Sequence, residues 1–233
     1  EVKRQSKGGI DSGRNKNRRL EDQRMQNYSL GGNHLWGSLK LDWMTSFAKA
    51  SEERLNERYA EFESEYSINN DVLNSRYPRY SVVNTADAAL ENFEYSEVTE
   101  ENQYTEEEDL NVFVNFEIPA DIFSQGEGSV KFGVRGRFKS KLRDNNFYEF
   151  DLEDDFPTLA AVPVKDYSDP DYLAGSQYQI GSFASEAWLG ALDLNIADGE
   201  LIVDEFAPSN FNVNEDVLAG YVMLNQKLSE KFS

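Results

Sequence analysis

The chain has no cysteine, a single histidine (His34), three tryptophans and six prolines in 233 residues. Without cysteine there is neither a disulfide framework nor a thiolate metal site, and an oxidising compartment would leave the chain unchanged. With one histidine, in the polar stretch Gly32-Asn33-His34-Leu35-Trp36-Gly37, the material for a Ser/His/Asp or Cys/His triad and for the usual zinc sites is missing. A plain turn histidine is the simpler reading. No run approaches the roughly 18 consecutive apolar residues of a transmembrane helix, which excludes a helical span but not a spanning β-strand of about 9–11 alternating residues. Basic residues are also scarce: 23 Lys and Arg stand against 43 Asp and Glu, a net charge of -20. That balance argues against nucleic acid, whose phosphates need a concentrated cationic surface. The one basic run, Lys3 to Arg19, is rich in Gly, Ser and Asn and reads as a loop or flank.

What the chain does have is aromatic residues, 13% of the total, against a mean hydropathy of -0.67. A chain polar on average but rich in Tyr and Phe suits strands with one apolar face. Period-two runs bear this out. From Leu39, the residues Leu39, Leu41, Trp43, Thr45 and Phe47 fall on one side, with Lys40, Asp42, Met44, Ser46 and Ala48 on the other. Upstream, Tyr28 and Leu30 alternate with Asn27 and Ser29, and the Gly-bounded link between the two runs makes a hairpin. In DLNVFVNFEIP, Leu110, Val112, Val114, Phe116 and Ile118 oppose Asn111, Asn115 and Glu117, with Phe113 as the exception and Pro119 as the stop. The cleanest alternation is SVKFGVRGRFKSK, where Val130, Phe132, Val134 and Phe138 oppose Lys131, Arg135, Arg137, Lys139 and Lys141. A fifth run, EDVLAGYVMLNQK, leads into LSEKF and another short turn.

These runs predict strands near 24–32, 38–49, 108–118, 129–143 and 216–227, joined by long loops over 50–107 and 144–215. Short and long links alternate. A packed globular domain rarely holds such long connections, whereas outer-membrane barrels combine short periplasmic turns with long extracellular loops. The expected fold is therefore all-β, an antiparallel transmembrane β-barrel segment. Two stretches resist a strand reading, because Leu55, Tyr59, Phe62 and Tyr66 recur at helical spacing, as do Val217 or Leu218, Tyr221, Leu224 and Leu228. The first leaves helix and strand extension open; for the second, strand is preferred.

Chemistry-bearing constellations are few. Gly126-Glu127-Gly128 precedes a strand and not a helix, so it cannot form the phosphate cradle of a helix N-terminus. No carboxylate pair stands out for glycoside hydrolysis among so many acids. The groups Asp151, Glu153, Asp154, Asp155 and Asp166, Asp169, Asp171 offer hard oxygens but lack the Gly and terminal Glu of an EF-hand loop, so a solvated loop is favoured. The cations Lys131, Arg135, Arg137, Lys139 and Lys141 share one strand face of an acidic chain. They either neutralise carboxylates of neighbouring strands inside a polar lumen or form a positive stripe that contacts substrate or plug.

The segments YSLGGNH, LKLDWMTSFAKASEERLNERYAEFE, VKFGVRGRFKSKLRDNNFYEFD and NFNVNEDVLAGYVMLNQKLSEKFS resemble, in order, parts of the barrel of TonB-dependent receptors of Bacteroidetes-type bacteria. Residues 68–107 and 150–210 match only loosely. The resemblance implies an outer-membrane transporter of about 22 strands, with an N-terminal plug and a TonB-contacting segment that these residues do not include. The chain opens at Glu1 in a charged segment and stops at Ser233 after an apparent turn, so a longer parent is expected. That parent takes up a nutrient such as a siderophore, vitamin or glycan, with no reaction catalysed and no cofactor. Its expected partners are the TonB complex, through the parent's N-terminal part, outer-membrane lipid and the extracellular nutrient. The rival readings are a secreted or surface β-sandwich that binds glycan or protein, packed sheet on sheet, and a soluble glycosidase domain.

Overall fold

A computed structural model describes residues 1–9, 21–71, 79–120, 122, 128–172 and 180–227. The fold is all-β and mostly antiparallel. Its strands are β1 (Val2–Gly9), β2 (Glu21–Trp36), β3 (Leu39–Ser64), β4 (Ile68–Asp71), β5 (Arg79–Val82), β6 (Glu94–Pro119), β7 (Gly128–Phe150), β8 (Val164–Asp166), β9 (Ser182–Ala184), β10 (Glu200–Leu201) and β11 (Phe211–Gln226). The main sheet has seven strands in the order β1-β3-β6-β7-β10, with β2 also paired to β3 and β11 also paired to β7. Two further two-stranded sheets form, β4-β5 and β8-β9. Among the described residues the main sheet is open and no closed barrel forms.

The chain divides into two compact units, one of Glu1–Glu21, Arg54–Gln103 and Asn145–Pro208, the other of Asp22–Glu53, Tyr104–Asp144 and Ser209–Ser233. In the second unit the strand path is β2-β3-β6-β7-β11. Alternating β-branched and aromatic residues suit a pleated, half-buried surface, and the turns are as short as the glycines suggested. β2 and β3 meet through Gly37 and Ser38 alone, with Gly37 at φ +63°, the left-handed conformation that a two-residue hairpin turn demands at its first position. Pro119 is the last residue of β6, and β7 resumes at Gly128.

The first unit corrects the expectation of long loops at 50–107 and 144–215. Here β3 runs on to Ser64, β6 starts at Glu94 and β7 ends at Phe150. Between them lies a core of Ala60, Phe62, Phe93, Val98, Leu159, Val162, Ala184 and Leu189, all buried. Trp188, in helix α1 (Glu186–Ala191), packs edge-on against Phe156 at 5.2 Å between ring centroids. Ser185 caps this helix by accepting from the Trp188 amide at 3.2 Å. The stretch that left helix and strand open is strand: Ser64 to Glu57 of β3 pair antiparallel with Val2 to Gly9 of β1.

The basic run is likewise not simply a loop, since its first part is β1. Carboxylates across the pair hold it: Lys3 Nζ lies 2.6 Å from Glu61 Oε1, and Lys7 bonds Glu57. Arg4 lays its guanidinium over the Phe93 ring at 4.2 Å and donates to the Ser182 carbonyl at 2.5 Å. Residues 10–19 of that run lie outside the described residues, as do residues 228–233 beyond the fifth expected strand.

Candidate functional site, a sheet with two unlike faces

The sheet of the second unit has one apolar and one polar face, and alternation along each strand assigns residues to them. On the apolar face, Phe116 and Phe132 stack at 5.3 Å between centroids with 19° between their planes. Two shallow clefts open there. One, of about 580 Å³, lies among Val112, Val134, Gly136, Phe138, Leu218 and Gly220; the other, of about 480 Å³, among Val114, Phe116, Phe132, Val134, Gly220 and Val222. Nothing in this chain's described residues covers the face: Val134 is 62% exposed and Val222 80%.

The band is bounded along the strands. Past Phe47 on β3 and Leu110 on β6, the same side continues as Lys49, Glu108 and Glu106, where Lys49 Nζ lies 2.9 Å from each carboxylate. Tyr104 also donates to Glu106. These two donors hold the Glu106 carboxyl below its usual range, the tyrosine hydrogen bond first, and the paired carboxylates hold the Lys49 ammonium above its own. Near the β2-β3 turn the side chains are aromatic. His34 stacks on Trp36 at 5.6 Å and accepts from Trp43 Nε1 at 3.1 Å. The histidine expected in a turn therefore sits in β2, because the strand extends to Trp36.

On the polar face, β6 supplies the partners of the predicted cations. Arg137 places Nε and Nη2 at 2.9 and 2.6 Å from Asp109 Oδ2. Lys139 and Lys141 share Glu107, at 2.7 and 3.5 Å. Among the described residues, Arg135 Nη2 reaches the Asn111 amide oxygen alone, at 3.4 Å. Lys131 has no carboxylate within ion-pair distance among the described residues. The five share a face and a strand, but they differ: among the described residues three are paired with acids and two are not.

No family model, curated protein or solved structure matches this chain.

Sequence reasoning missed two parts of the polar face. A relay crosses four strands: Tyr221 of β11 donates to Asn115 Oδ1 at 2.9 Å, and Asn115 donates to Asp42 Oδ2 of β3 at 2.7 Å. Tyr221 arches over Gly133 of β7 to do so; a Cβ there would stand 2.9 Å from Tyr221 Cε1 and 2.8 Å from the Val114 carbonyl. The second omission is that β11 is apolar on this face also, at Val217, Tyr221 and Met223. The helical spacing noted in 217–228 was its signal, since apolar residues on both sides of a strand break the period of two.

The acidic groups offered for calcium cap local turns. Asp151, Asp166 and Asp169 accept from the amides of Glu153, Ser168 and Asp171 at 3.2, 2.9 and 2.8 Å. Among the described residues no cluster of three or more His, Cys, Asp or Glu is placed to hold a metal ion.

Proposed function

We propose that this chain is part of the wall of an outer-membrane β-barrel of the TonB-dependent receptor kind, whose parent imports a nutrient such as a siderophore, vitamin or glycan. The observation that carries the reading is the uncovered apolar face. It runs over Leu39 to Phe47, Leu110 to Ile118 and Val130 to Phe138, each close to the roughly 9–11 residues that a tilted membrane strand needs. Charged pairs at Lys49 bound it on one side and aromatic residues at His34 and Trp36 on the other, the order found where hydrocarbon meets water. The open edges, β2 and β11 in this unit, would then be closed by further strands of the parent. The TonB complex and the plug enter through the family resemblance alone.

Under this reading the stripe of Lys131, Arg135, Arg137, Lys139 and Lys141 faces the barrel interior. The alternative, a surface β-sandwich, needs a second sheet on the same apolar face. Fractionation separates them. The full-length protein is expected in the outer-membrane fraction, released only by detergent; recovery in the soluble fraction would end the membrane reading and leave the sandwich.

A further inference from the structure

Several glycines of the second unit answer to something inside the chain. At Gly31, Gly32, Gly128 and Gly133 an added Cβ would stand within 3 Å of another atom, and Gly37 needs its positive φ. Gly220 has neither reason. Among the described residues a Cβ there would meet only the Gly133 carbonyl oxygen at 3.6 Å and Val134 Cγ1 at 3.9 Å, both ordinary contacts. Nor is Gly220 a bulge, because β11 and β7 pair without a break from Phe211↔Arg143 to Gln226↔Gly128. A strand glycine that is neither crowded nor bulged marks a place where something from outside approaches the backbone.

Gly220 stands where the two apolar clefts meet. It and Val134 line both, so the clefts form one furrow along β7 from Phe132 to Phe138. Six residues of strand are about 20 Å. By alternation Leu218, Gly220 and Val222 lie on the furrow's side of β11, and so does Asp216, which opposes Phe138 in register. Asp216 is exposed and makes no ion pair among the described residues. One step further along that side, Asn214 opposes Ser140. The furrow is thus apolar along its length and ends in a carboxylate, an amide and a hydroxyl.

We propose that this furrow seats one acyl chain of a glycolipid, whose sugar hydroxyls donate to Asp216 and bond Asn214 and Ser140. The proposal rests on the membrane reading and adds to it a lipid chosen by its headgroup and held at one place. An acyl chain suits the furrow because it carries no polar group, whereas an extended peptide would turn backbone N–H and C=O groups onto apolar walls without partners. A sugar suits the end because Asp216 repels a phosphate, while hydroxyls both donate and accept.

The test uses the full-length protein in lipid vesicles doped with monoglucosyl diacylglycerol or, separately, phosphatidylglycerol, each with a diazirine in its acyl chain. Adducts are mapped by peptide mass spectrometry. Labelling by the glucosyl lipid is expected to concentrate at Val134–Phe138 and Leu218–Val222 over the equally apolar Leu39–Phe47. It should exceed labelling by phosphatidylglycerol there about tenfold, the scale of a hydrogen bond to a charged group. Gly220→Leu, for which the backbone has room, should abolish the excess while Leu39–Phe47 is labelled as before, which shows an intact fold. Asp216→Ala should remove the preference between the lipids and keep the furrow labelled. Even labelling of all three stretches by both lipids, or an excess that survives Gly220→Leu, would overturn the proposal and leave the membrane reading standing. A preference that survives Asp216→Ala would overturn the headgroup assignment. Absence of labelling on every apolar strand would remove the membrane reading and the proposal together.

Discussion

At the scale of single residues, Gly133 and Glu97 occupy positions whose physics can be checked directly. Gly133 exists as glycine because two neighbours occupy the space a side chain would take: an added Cβ would lie 2.2 Å from Asn115 Oδ1 and 2.8 Å from the backbone oxygen of Val114. The amide can turn away, but the carbonyl belongs to the ladder. Gly133→Ala is therefore expected to destabilise the sheet by about 1–3 kcal/mol, the usual cost of overpacking, read as a lowered denaturation midpoint. Tyr221→Phe, which keeps the ring over Gly133 and removes only one hydrogen bond, should cost about 1 kcal/mol. In the first unit, Glu97 is partly buried, and desolvation, then the nearby carboxylates of Glu61 and Glu149, raise its affinity for a proton above the ordinary value. A folded-state pKa above the unfolded one means that the protonated form favours folding at low pH and that this contribution is lost as pH rises through the folded pKa. Glu97→Gln should accordingly raise the melting temperature at pH 7, and the gain should shrink toward pH 4. A gain that is the same at both pH values would contradict this account.

At the scale of elements, the fold of the first unit depends on a buried ion pair between two strands whose arginine also reaches a helix. Arg58 of β3 and Glu100 of β6 each expose 3% of their side chains and meet at 2.7 Å. Arg58 also donates to the carbonyls of Leu189 and Leu192 at 3.1 and 2.7 Å, so it ties down the C-terminal end of α1. Removing one member strands the other in the interior, at about 3–5 kcal/mol. Arg58→Ala should therefore lower stability by that order and abolish hydrogen-exchange protection of the α1 amides before that of β7. Neither charge could be picked out in the sequence, because Arg58 lies 131 residues from Leu189 and the run around it looks like an exposed charged helix. Asn56 adds to the disguise. At φ +55° it is the only described non-glycine residue with positive φ, and its amide and side chain bond Asn102 and Glu100. Such a residue in a strand behaves as a bulge and shifts which side chains face inward, so the period of two is lost between Phe47 and Phe62. The readable strands were those with one apolar face throughout, around Leu41, Val114 and Phe132. The strand near Tyr221 was read against a helical spacing, whereas the stretch near Tyr59 stayed open between helix and strand, because both have apolar residues on both faces. In the site, alternation placed all five cations together, while their division into paired and unpaired members depends on Glu107 and Asp109 of another strand.

At the scale of the whole molecule, the balance between the two faces of the sheet decides the membrane question. Phe132 and Val134 lie on one side of β7 and Arg135, Arg137 and Lys139 on the other, so one register must be chosen for the entire strand. If lipid met the charged side, each Arg or Lys near the midplane would cost about 2–4 kcal/mol. Several together would rival the roughly 5–15 kcal/mol that stabilises a typical domain. If lipid meets the apolar side, that cost vanishes and the ion pairs of Asp109 and Glu107 stay on the wet side, where Arg137 and Lys139 already engage them. If the sheet is part of a barrel wall, the chain by itself should aggregate in water, because its uncovered apolar face and open edges at β2 and β11 invite pairing with other copies. A cooperative melt of the isolated chain as a detergent-free monomer would count against the barrel wall and for a second sheet. Orientation has its own measurement. The chain has no cysteine, so a single introduced thiol is the only one these residues would present. In outer-membrane vesicles, Phe132→Cys and Val134→Cys should resist a membrane-impermeant thiol reagent until the protein is unfolded, whereas Lys139→Cys should react without unfolding. Rapid labelling at Val134→Cys in intact vesicles, with Lys139→Cys protected, would reverse the register and remove lipid from the apolar face.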